Sequence, residues 1–236
     1  MRRFHLSCLA AVAAASLAGG CGGGDNAEPV AVKTGAVVYE DAFDDNQGDW
    51  FVDKRHLIVD GGRYQWRGLV SEGDNDPVSL PTALLSKPIP AGLAISVAVE
   101  VRDGAALRAL VCREQGPRDA TPTAWYELGI DGRQALIRRM SVTAPPNVLA
   151  RKELSIPNGR RVRLIGQCVP DGDGRLALAL RVDGREVARA TDAKPLPASP
   201  GGLDATPSLR AYARPDSPGP AEVVWDDFEI RSATAS

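Results

Sequence analysis

The chain contains very few of the residues that most often carry catalysis or bind transition metals. Its 236 residues include two histidines and four cysteines. One histidine and two cysteines lie beyond residue 21: His56, Cys112 and Cys168. Structural zinc sites need about four such ligands, and a nucleophilic triad needs a histidine next to its nucleophile. The sequence therefore excludes most metal centres and triads of this kind, and it indicates no catalytic residue.

The chain has no excess of positive charge, and its aromatic side chains are scarce. The chain has 28 lysines and arginines against 30 acidic residues, a formal net charge of -2, and only 5% aromatic residues. Proteins that bind nucleic acid need clustered basic side chains to neutralise phosphates. The sequence therefore predicts no nucleic-acid partner.

The N-terminus has the pattern of an export signal. A positive start is followed by the apolar stretch 6–18, which is shorter than the roughly 20 residues that a membrane-spanning helix needs. The sequence 17–21, Leu-Ala-Gly-Gly-Cys, resembles a bacterial lipobox, although Ala18 stands where leucine is commonest. The resemblance implies that Cys21 is lipidated and becomes the first residue of the mature protein. The alternative is an ordinary secretory signal cut nearby, with Cys21 incidental.

Four parts of the chain follow from this interpretation. Residues 1–20 are predicted to be a signal peptide, 21–35 a flexible tether, 36–231 one β-sandwich domain and 232–236 a tail. Three consecutive glycines after Cys21 favour flexibility in the tether. Loss of the signal removes two arginines and no acid, so the mature chain is more acidic than the precursor.

The two cysteines of the body, Cys112 and Cys168, are predicted to form a disulfide. An exported protein folds in an oxidising compartment, where cysteine pairs tend to be oxidised. Closing this loop would stabilise the fold by about 4 kcal/mol. The alternative is a pair of free, buried thiols.

The body of the chain has the periodicity of β-strands. Apolar residues alternate with smaller or polar ones over 95–101 and again over 176–182. This period of two is typical of a strand with one face in a core. Asp-Gly pairs at 131–132 and 183–184 separate strand-like segments, as in tight hairpins. Many short strands without crossover helices predict an all-β, two-sheet antiparallel sandwich.

Two segments carry a resemblance to a known family. The first, 41–50, has the form D-x-F followed by G-x-W, and the second, 223–230, ends in W-D-D-F-x-I. Together they resemble the concanavalin A-like lectin/glucanase jelly rolls, which are related to laminin G-like and 3-keto-disaccharide hydrolase modules. The resemblance implies a jelly roll in which the first and last strands pair, with Phe43 near Phe228.

Catalysis in this family has a recognisable pattern. Its glycosidases resemble one another in a strand bearing Glu-x-Asp-x-x-Glu, which supplies the paired carboxylates of a retaining mechanism. The nearest text here, 72–76, lacks the final glutamate and lies among loop-forming residues. No catalytic residue is assigned, although another carboxylate arrangement stays open.

Acidic residues near both ends of the body suggest a structural calcium ion. If the terminal strands pair, oxygens of Asp44, Asp226 and Asp227 could converge on a hard cation. The alternative is that these acids cap turns and keep sheet edges solvated.

A ligand site of this fold class would combine an aromatic platform with hydrogen-bonding side chains. The candidates are Trp66, Trp125, Glu127, Arg113 and Arg138. Because side chains alternate along a strand, Trp125 and Glu127 should share the face opposite to the apolar one. The alternative is that the aromatic residues belong to the core and the arginines only protect the sheet.

These observations predict a lipid-anchored protein on the extracytoplasmic face of the cell membrane. Its predicted role is a binding module for a glycan or an envelope protein. The alternatives are a glycan-directed hydrolase resembling the 3-keto-disaccharide hydrolases, and a structural envelope protein without a small ligand.

Overall fold

The computed structural model describes residues 31–53, 57–68, 78–79, 84, 89–101, 107–115, 123–197, 207–212 and 221–236. These residues form fourteen strands: β1 (Val32–Asp41), β2 (Leu57–Val59), β3 (Tyr64–Gly68), β4 (Val78–Ser79), β5 (Leu93–Val101), β6 (Leu107–Gln115), β7 (Ala124–Ile130), β8 (Gln134–Ser141), β9 (Asn147–Glu153), β10 (Arg161–Pro170), β11 (Leu176–Val182), β12 (Arg185–Asp192), β13 (Ser208–Tyr212) and β14 (Ala221–Ala235). Within the described ranges, no helix is long and apolar enough to cross a membrane.

The strands form two antiparallel sheets, as the alternation in the sequence predicts. An eight-stranded sheet has the order β12-β11-β10-β5-β14-β3-β2, with β1 also paired to β14. A six-stranded sheet has the order β4-β13-β6-β7-β8-β9. One large core cluster contains residues of both sheets, such as Leu128 and Leu164. The prediction of a two-sheet antiparallel sandwich is confirmed.

The turns between neighbouring strands follow the Asp-Gly pairs of the sequence. Asp183 and Gly184 both have positive φ angles, 50° and 79°, and connect β11 to β12. Gly132, with φ of 82°, lies in the turn between β7 and β8. Two positive φ angles give a tight turn the twist of the strands that it joins.

The first and last strands of the body pair, as the family resemblance implies. Asp41 of β1 lies opposite Phe228 of β14. The rings of Phe43 and Phe228 both pack on Trp50, with centroid distances of 5.1 Å in each case. Trp50 therefore joins Phe43 to the middle of β14 within the core.

The two sheets are bonded to each other through Cys112 of β6 and Cys168 of β10. Their Cα atoms lie 6.5 Å apart and a disulfide joins them. Near this bond the sheets approach closely, because a Cβ atom at Gly166 would lie only 3.1 Å from Leu110. The predicted disulfide is confirmed.

A second contact between the sheets is made by Tyr126, whose side chain lies on the core face of β7. The Tyr126 hydroxyl donates to Asp192 Oδ2 at 2.7 Å and accepts from the backbone N–H of Leu196. Arg139 of β8 reaches the same carboxylate oxygen at 3.0 Å. Burial, together with the neighbouring Asp192 carboxylate, raises the pKa of Tyr126 to about 12.

Within the described part of the chain, the side chain of Arg108 faces the core without a close counterion. Arg108 of β6 lies opposite Ala211 and Ile130, which are both core residues, and it is 1% exposed. Its Nε and Nη1 atoms have no hydrogen-bond partner among the residues that the structure describes. Burial lowers the pKa of Arg108 to about 9, and the charge of Asp131 opposes this shift.

Replacing Arg108 with methionine, which is apolar and of similar length, should stabilise the protein. We expect Arg108→Met to raise the free energy of unfolding by about 2 kcal/mol, because it removes an uncompensated buried charge. Chemical denaturation at neutral pH measures the change. Arg189→Met, at a half-buried surface site, is the control, with a change expected within about 0.5 kcal/mol.

The pH dependence of this gain has a definite sign. The folded-state pKa of Arg108 lies below that of the unfolded chain, so wild-type stability should rise as pH increases above about 9. The advantage of Arg108→Met should therefore be largest below pH 9 and shrink above it. A variant that is less stable than wild type at neutral pH would contradict this view of Arg108.

Candidate functional site

The outward face of the six-stranded sheet brings together several polar and aromatic side chains. On β7, Tyr126, Leu128 and Ile130 belong to the core. Because neighbouring residues of a strand point to opposite faces, Trp125 and Glu127 face away from the core, as the sequence predicts.

Strand register aligns other members of the group with Glu127. Arg138 of β8 lies directly opposite Glu127, and Val111 of β6 lies on its other side. Strand β13 pairs with β6, which places Arg210 and Tyr212 on the same outward face, next to Ala109 and Leu107. We call Trp125, Glu127, Arg138, Arg210 and Tyr212 the Glu127 cluster.

The Glu127 carboxylate is the common acceptor of this cluster. Trp125 Nε1 donates to Oε1 at 2.6 Å, and the Tyr212 hydroxyl donates to the same oxygen. Arg138 donates from Nε to Oε2 at 2.7 Å, and its Nη2 lies 2.6 Å from Oε2. Glu127 is 1% exposed, so these donors and not water solvate its carboxylate.

Two guanidinium–aromatic contacts complete the cluster. The Arg210 Cζ atom lies 3.8 Å from the centroid of the Trp125 ring, and its Nη1 lies 3.9 Å from Glu127 Oε1. The Arg138 Cζ atom lies 5.2 Å from the centroid of the Tyr212 ring. Such contacts attract a cation to the negative face of the ring. Each aromatic ring is therefore held by an arginine and by Glu127.

The members of the cluster differ in their exposure to solvent. Trp125 and Arg210 are 5% and 1% exposed, whereas the Arg138 side chain is 17% exposed and Tyr212 is half-buried. Arg138 and Tyr212 are therefore the members that a ligand reaches first. Trp125, Glu127 and Arg210 lie beneath them and fix their positions.

The structure places Trp66 away from this group. Trp66 lies on β3 between Leu57 of β2 and Val223 of β14, and it is fully buried in the core. Its ring is not available to a ligand, so Trp66 is a core residue, as the alternative interpretation of the aromatic residues holds.

Arg113 also does not join the cluster. Regular alternation from Cys112 would place Arg113 on the outward face, but a register shift follows Cys112 and Arg113 has a positive φ of 56°. A bulge of this kind redirects a side chain. Burial lowers the pKa of Arg113. An electrostatic interaction with Tyr126, whose ring faces the core, opposes this shift.

The three aspartates proposed for calcium do not form a site. Asp226 and Asp227 both pair with Arg161 Nη2, at 2.8 and 3.3 Å, and Asp227 also lies 3.6 Å from Arg163. Asp44 is exposed at the start of the body. No group of three or more acidic, histidine or cysteine residues suited to a metal occurs in the described part of the chain. The calcium prediction is wrong for these three residues, because they form no such group and guanidinium groups compensate Asp226 and Asp227.

Arg210 and Tyr212 are absent from the candidates that the sequence suggests. Their strand, β13, is only five residues long and directly follows a proline-rich segment. Its alternation is nevertheless visible: Leu209 and Ala211 are core residues, whereas Ser208, Arg210 and Tyr212 are polar. That pattern is the signal that could have identified them.

The outward face of β7 differs from the glycosidase pattern described above. Trp125, Glu127 and Gly129 occupy alternate positions, so this strand supplies one carboxylate to the face. Glu114, at the end of β6, accepts a hydrogen bond from the Ser208 hydroxyl at 2.8 Å. His56 and the acidic segment 72–76 lie outside the described residues.

Comparison with known proteins identifies the class of fold. No protein-family model and no curated protein matches the sequence. Solved structures of the jelly-roll class do match, with identities of 16% or less among those given below, and such likeness shows the fold alone. The predicted concanavalin A-like jelly roll is thereby confirmed.

Three of these structures illustrate the match. The carbohydrate-binding module CBM66 from Bacillus subtilis has a TM-score of 0.52 at 16% identity, covering 87% of this chain and 98% of that one. A Bacillus subtilis protein of unknown function with a galectin-like fold has a TM-score of 0.60 at 13% identity, covering 87% and 100%. A Bacillus licheniformis beta-glucanase has a TM-score of 0.53 at 13% identity, covering 85% and 99%.

Proposed function

We propose that the protein is a glycan-binding module that a lipid on Cys21 anchors to the extracytoplasmic face of the cell membrane. The observation that carries this proposal is the Glu127 cluster, in which one buried carboxylate orients two aromatic and two arginine side chains on an outward sheet face. Similarity to a carbohydrate-binding module and to a beta-glucanase supports the choice of a glycan as ligand.

The chemistry of the cluster suits sugar recognition. The half-buried Tyr212 ring offers apolar area to the C–H face of a sugar, and the Arg138 guanidinium offers hydrogen-bond donors in a fixed plane. Because Glu127 already holds Arg138 and Tyr212, binding a ligand costs little further side-chain entropy at these two residues. Pre-organisation of this kind favours affinity for a ligand that makes only a few contacts.

The same contacts favour binding over hydrolysis. Glycosidases use two carboxylates, of which one must exchange protons or attack the sugar. The two oxygens of Glu127 already accept from Trp125, Tyr212 and Arg138. A carboxylate held by so many donors is suited to positioning its neighbours.

The location outside the cytoplasm rests on the export signal, the lipobox-like sequence and the disulfide. Disulfides persist in oxidising compartments, and Cys112 and Cys168 are bonded. In this proposal residues 1–20 are the signal peptide and 21–31 form the tether, which is shorter than the sequence predicts because β1 of the sandwich begins at Val32 and pairs with β14.

Glycan binding is tested by a panel of immobilised polysaccharides and oligosaccharides, probed with the detergent-solubilised full chain. We expect at least one sugar class to bind saturably, and Arg138→Gln to weaken that binding about tenfold. Arg189→Gln, which removes an arginine paired with Glu186 on the other sheet, is the matched control and should bind as wild type does. Binding to an envelope protein and to no glycan would overturn the proposal.

Anchoring is tested by Cys21→Ser. We expect this variant to move from the membrane fraction to the soluble fraction and to lose incorporation of labelled fatty acid, because the lipidated thiol is gone. Cys8→Ser is the control, since residue 8 lies in the segment that the signal peptidase removes. Membrane retention that is equal in Cys21→Ser and wild type would refute lipidation at this residue.

A further inference from the structure

At the exposed part of the Glu127 cluster, the outward sheet face has a guanidinium donor that Glu127 does not use. Arg138 uses Nε and Nη2 for Glu127, and its Nη1 has no partner among the described residues. The Arg138 side chain is 17% exposed, so this remaining donor is open to a ligand. A guanidinium with a free donor next to an aromatic ring is suited to a planar anion.

A second arginine lies on the same face. Arg151 of β9 is opposite Leu136, which stands two residues before Arg138 on β8. Residues two apart on a strand share a face, so Arg151 and Arg138 are on the outward side together. Arg151 is exposed, and no hydrogen bond or ion pair holds it within the described chain.

Apolar surface lies beside these two cations. Val148, opposite Arg138 on β9, is 43% exposed, and the half-buried Tyr212 ring lies under the Arg138 guanidinium. Sugars present apolar C–H surfaces between their polar groups, and uronic acids add a carboxylate. The combination of two accessible guanidinium groups with small apolar areas matches an acidic sugar more closely than a neutral one.

We propose that this surface, formed by Arg138, Arg151, Val148 and Tyr212, selects acidic glycans by binding their carboxylate groups. This inference rests on the proposed glycan-binding function and names the class of its ligand. The chain as a whole has a net charge of -2, so attraction of a polyanion depends on this local surface and not on the overall charge.

The test compares acidic glycans with their neutral counterparts. The probes are polygalacturonate, alginate and hyaluronan, each with a carboxyl-reduced form of the same backbone, in calorimetric titrations of the detergent-solubilised full chain. We expect at least one acidic form to bind about tenfold more tightly than its reduced form, with a preference that weakens as salt is raised.

A pair of neighbouring variants separates face-specific recognition from general attraction. Arg151→Gln should abolish most of the preference for the acidic form. Lys152→Gln removes the same charge from the next residue of β9, which lies opposite the core residue Ala135 and so belongs to the other face. This control should keep both the preference and wild-type binding to the reduced form, whereas Arg151→Gln should weaken binding of the acidic form far more than binding of the reduced form.

The outcomes distinguish this inference from the proposed function. Equal affinity for acidic and reduced forms, or an equal loss in Arg151→Gln and Lys152→Gln, would overturn selection by this surface while leaving glycan binding in place. Binding of neutral glycans alone would also overturn the inference. A protein that binds no member of either series, nor any glycan of the wider panel, would overturn both.

Discussion

Replacing Cys112 and Cys168 together with alanine is expected to lower the free energy of unfolding by about 4 kcal/mol. The bond joins β6 to β10, in different sheets, and spans 56 residues of sequence. Without it the unfolded chain gains conformational freedom, and the contact between the sheets near Gly166 loses its covalent support. Urea denaturation on a Cys21→Ser background, without reductant, measures the loss.

Single replacements provide the control. Cys112→Ala and Cys168→Ala should each cost nearly as much as the double replacement, because either one removes the same bond. Reductant should destabilise the protein that has both cysteines and leave the double variant unchanged. Small, additive losses that are insensitive to reductant would instead indicate two independent thiols.

Glu127→Gln should be similarly damaging, with a loss of about 3 kcal/mol. The carboxylate is 1% exposed, and it compensates the guanidinium of Arg138 while Arg210 lies nearby. A neutral amide of the same shape removes that compensation and replaces an acceptor oxygen by a donor among groups that are themselves donors. Denaturant unfolding gives the loss, and the emission of Trp125 should report the disturbed packing.

The matched variant is Glu186→Gln on the other sheet. Glu186 also accepts two hydrogen bonds from one arginine, Arg189, but its side chain is 33% exposed. Surface pairs of this kind contribute little, so we expect a change within about 1 kcal/mol. If Glu127→Gln costs no more than Glu186→Gln, the Glu127 cluster does not depend on a buried charge.

Local patterns in the sequence predict much of the fold. Alternation over 95–101 and 176–182 correctly identifies β5 and β11, and the Asp-Gly pairs mark two hairpins. The same alternation places Trp125 and Glu127 on one face of β7, opposite Tyr126. These features depend on residues that are neighbours in sequence, so they can be predicted from the sequence alone.

The misplaced residues depend on irregular or long-range structure. A bulge after Cys112 breaks the alternation that placed Arg113 on the outward face. Trp66 is buried because β14 and β2 flank its strand. Tyr212 joins Glu127 only because β13 lies beside β6, although the two strands are far apart in sequence. Alternation within single segments contains no information about such neighbours.

The calcium prediction fails for a related reason. Acidic residues near both ends of the body do approach the same region, since β1 and β14 pair. Arg161 of β10 forms ion pairs with Asp226 and Asp227 and so compensates the charge of both carboxylates. The identity of that partner follows from how the strands are ordered in the sheet, where β5 lies between β10 and β14.

Titrating the full chain with a glycan while recording the indole N–H signals of its tryptophans by NMR tests the proposed site most directly. Trp125 donates its indole N–H to Glu127 within the cluster, whereas Trp66 and Trp225 are buried in the core. Trp125→Phe assigns the relevant signal. Binding at the Glu127 cluster predicts a saturable shift of the Trp125 signal, with those of Trp66 and Trp225 unchanged. Saturable binding that leaves the Trp125 signal in place, or no binding of any glycan, would contradict it.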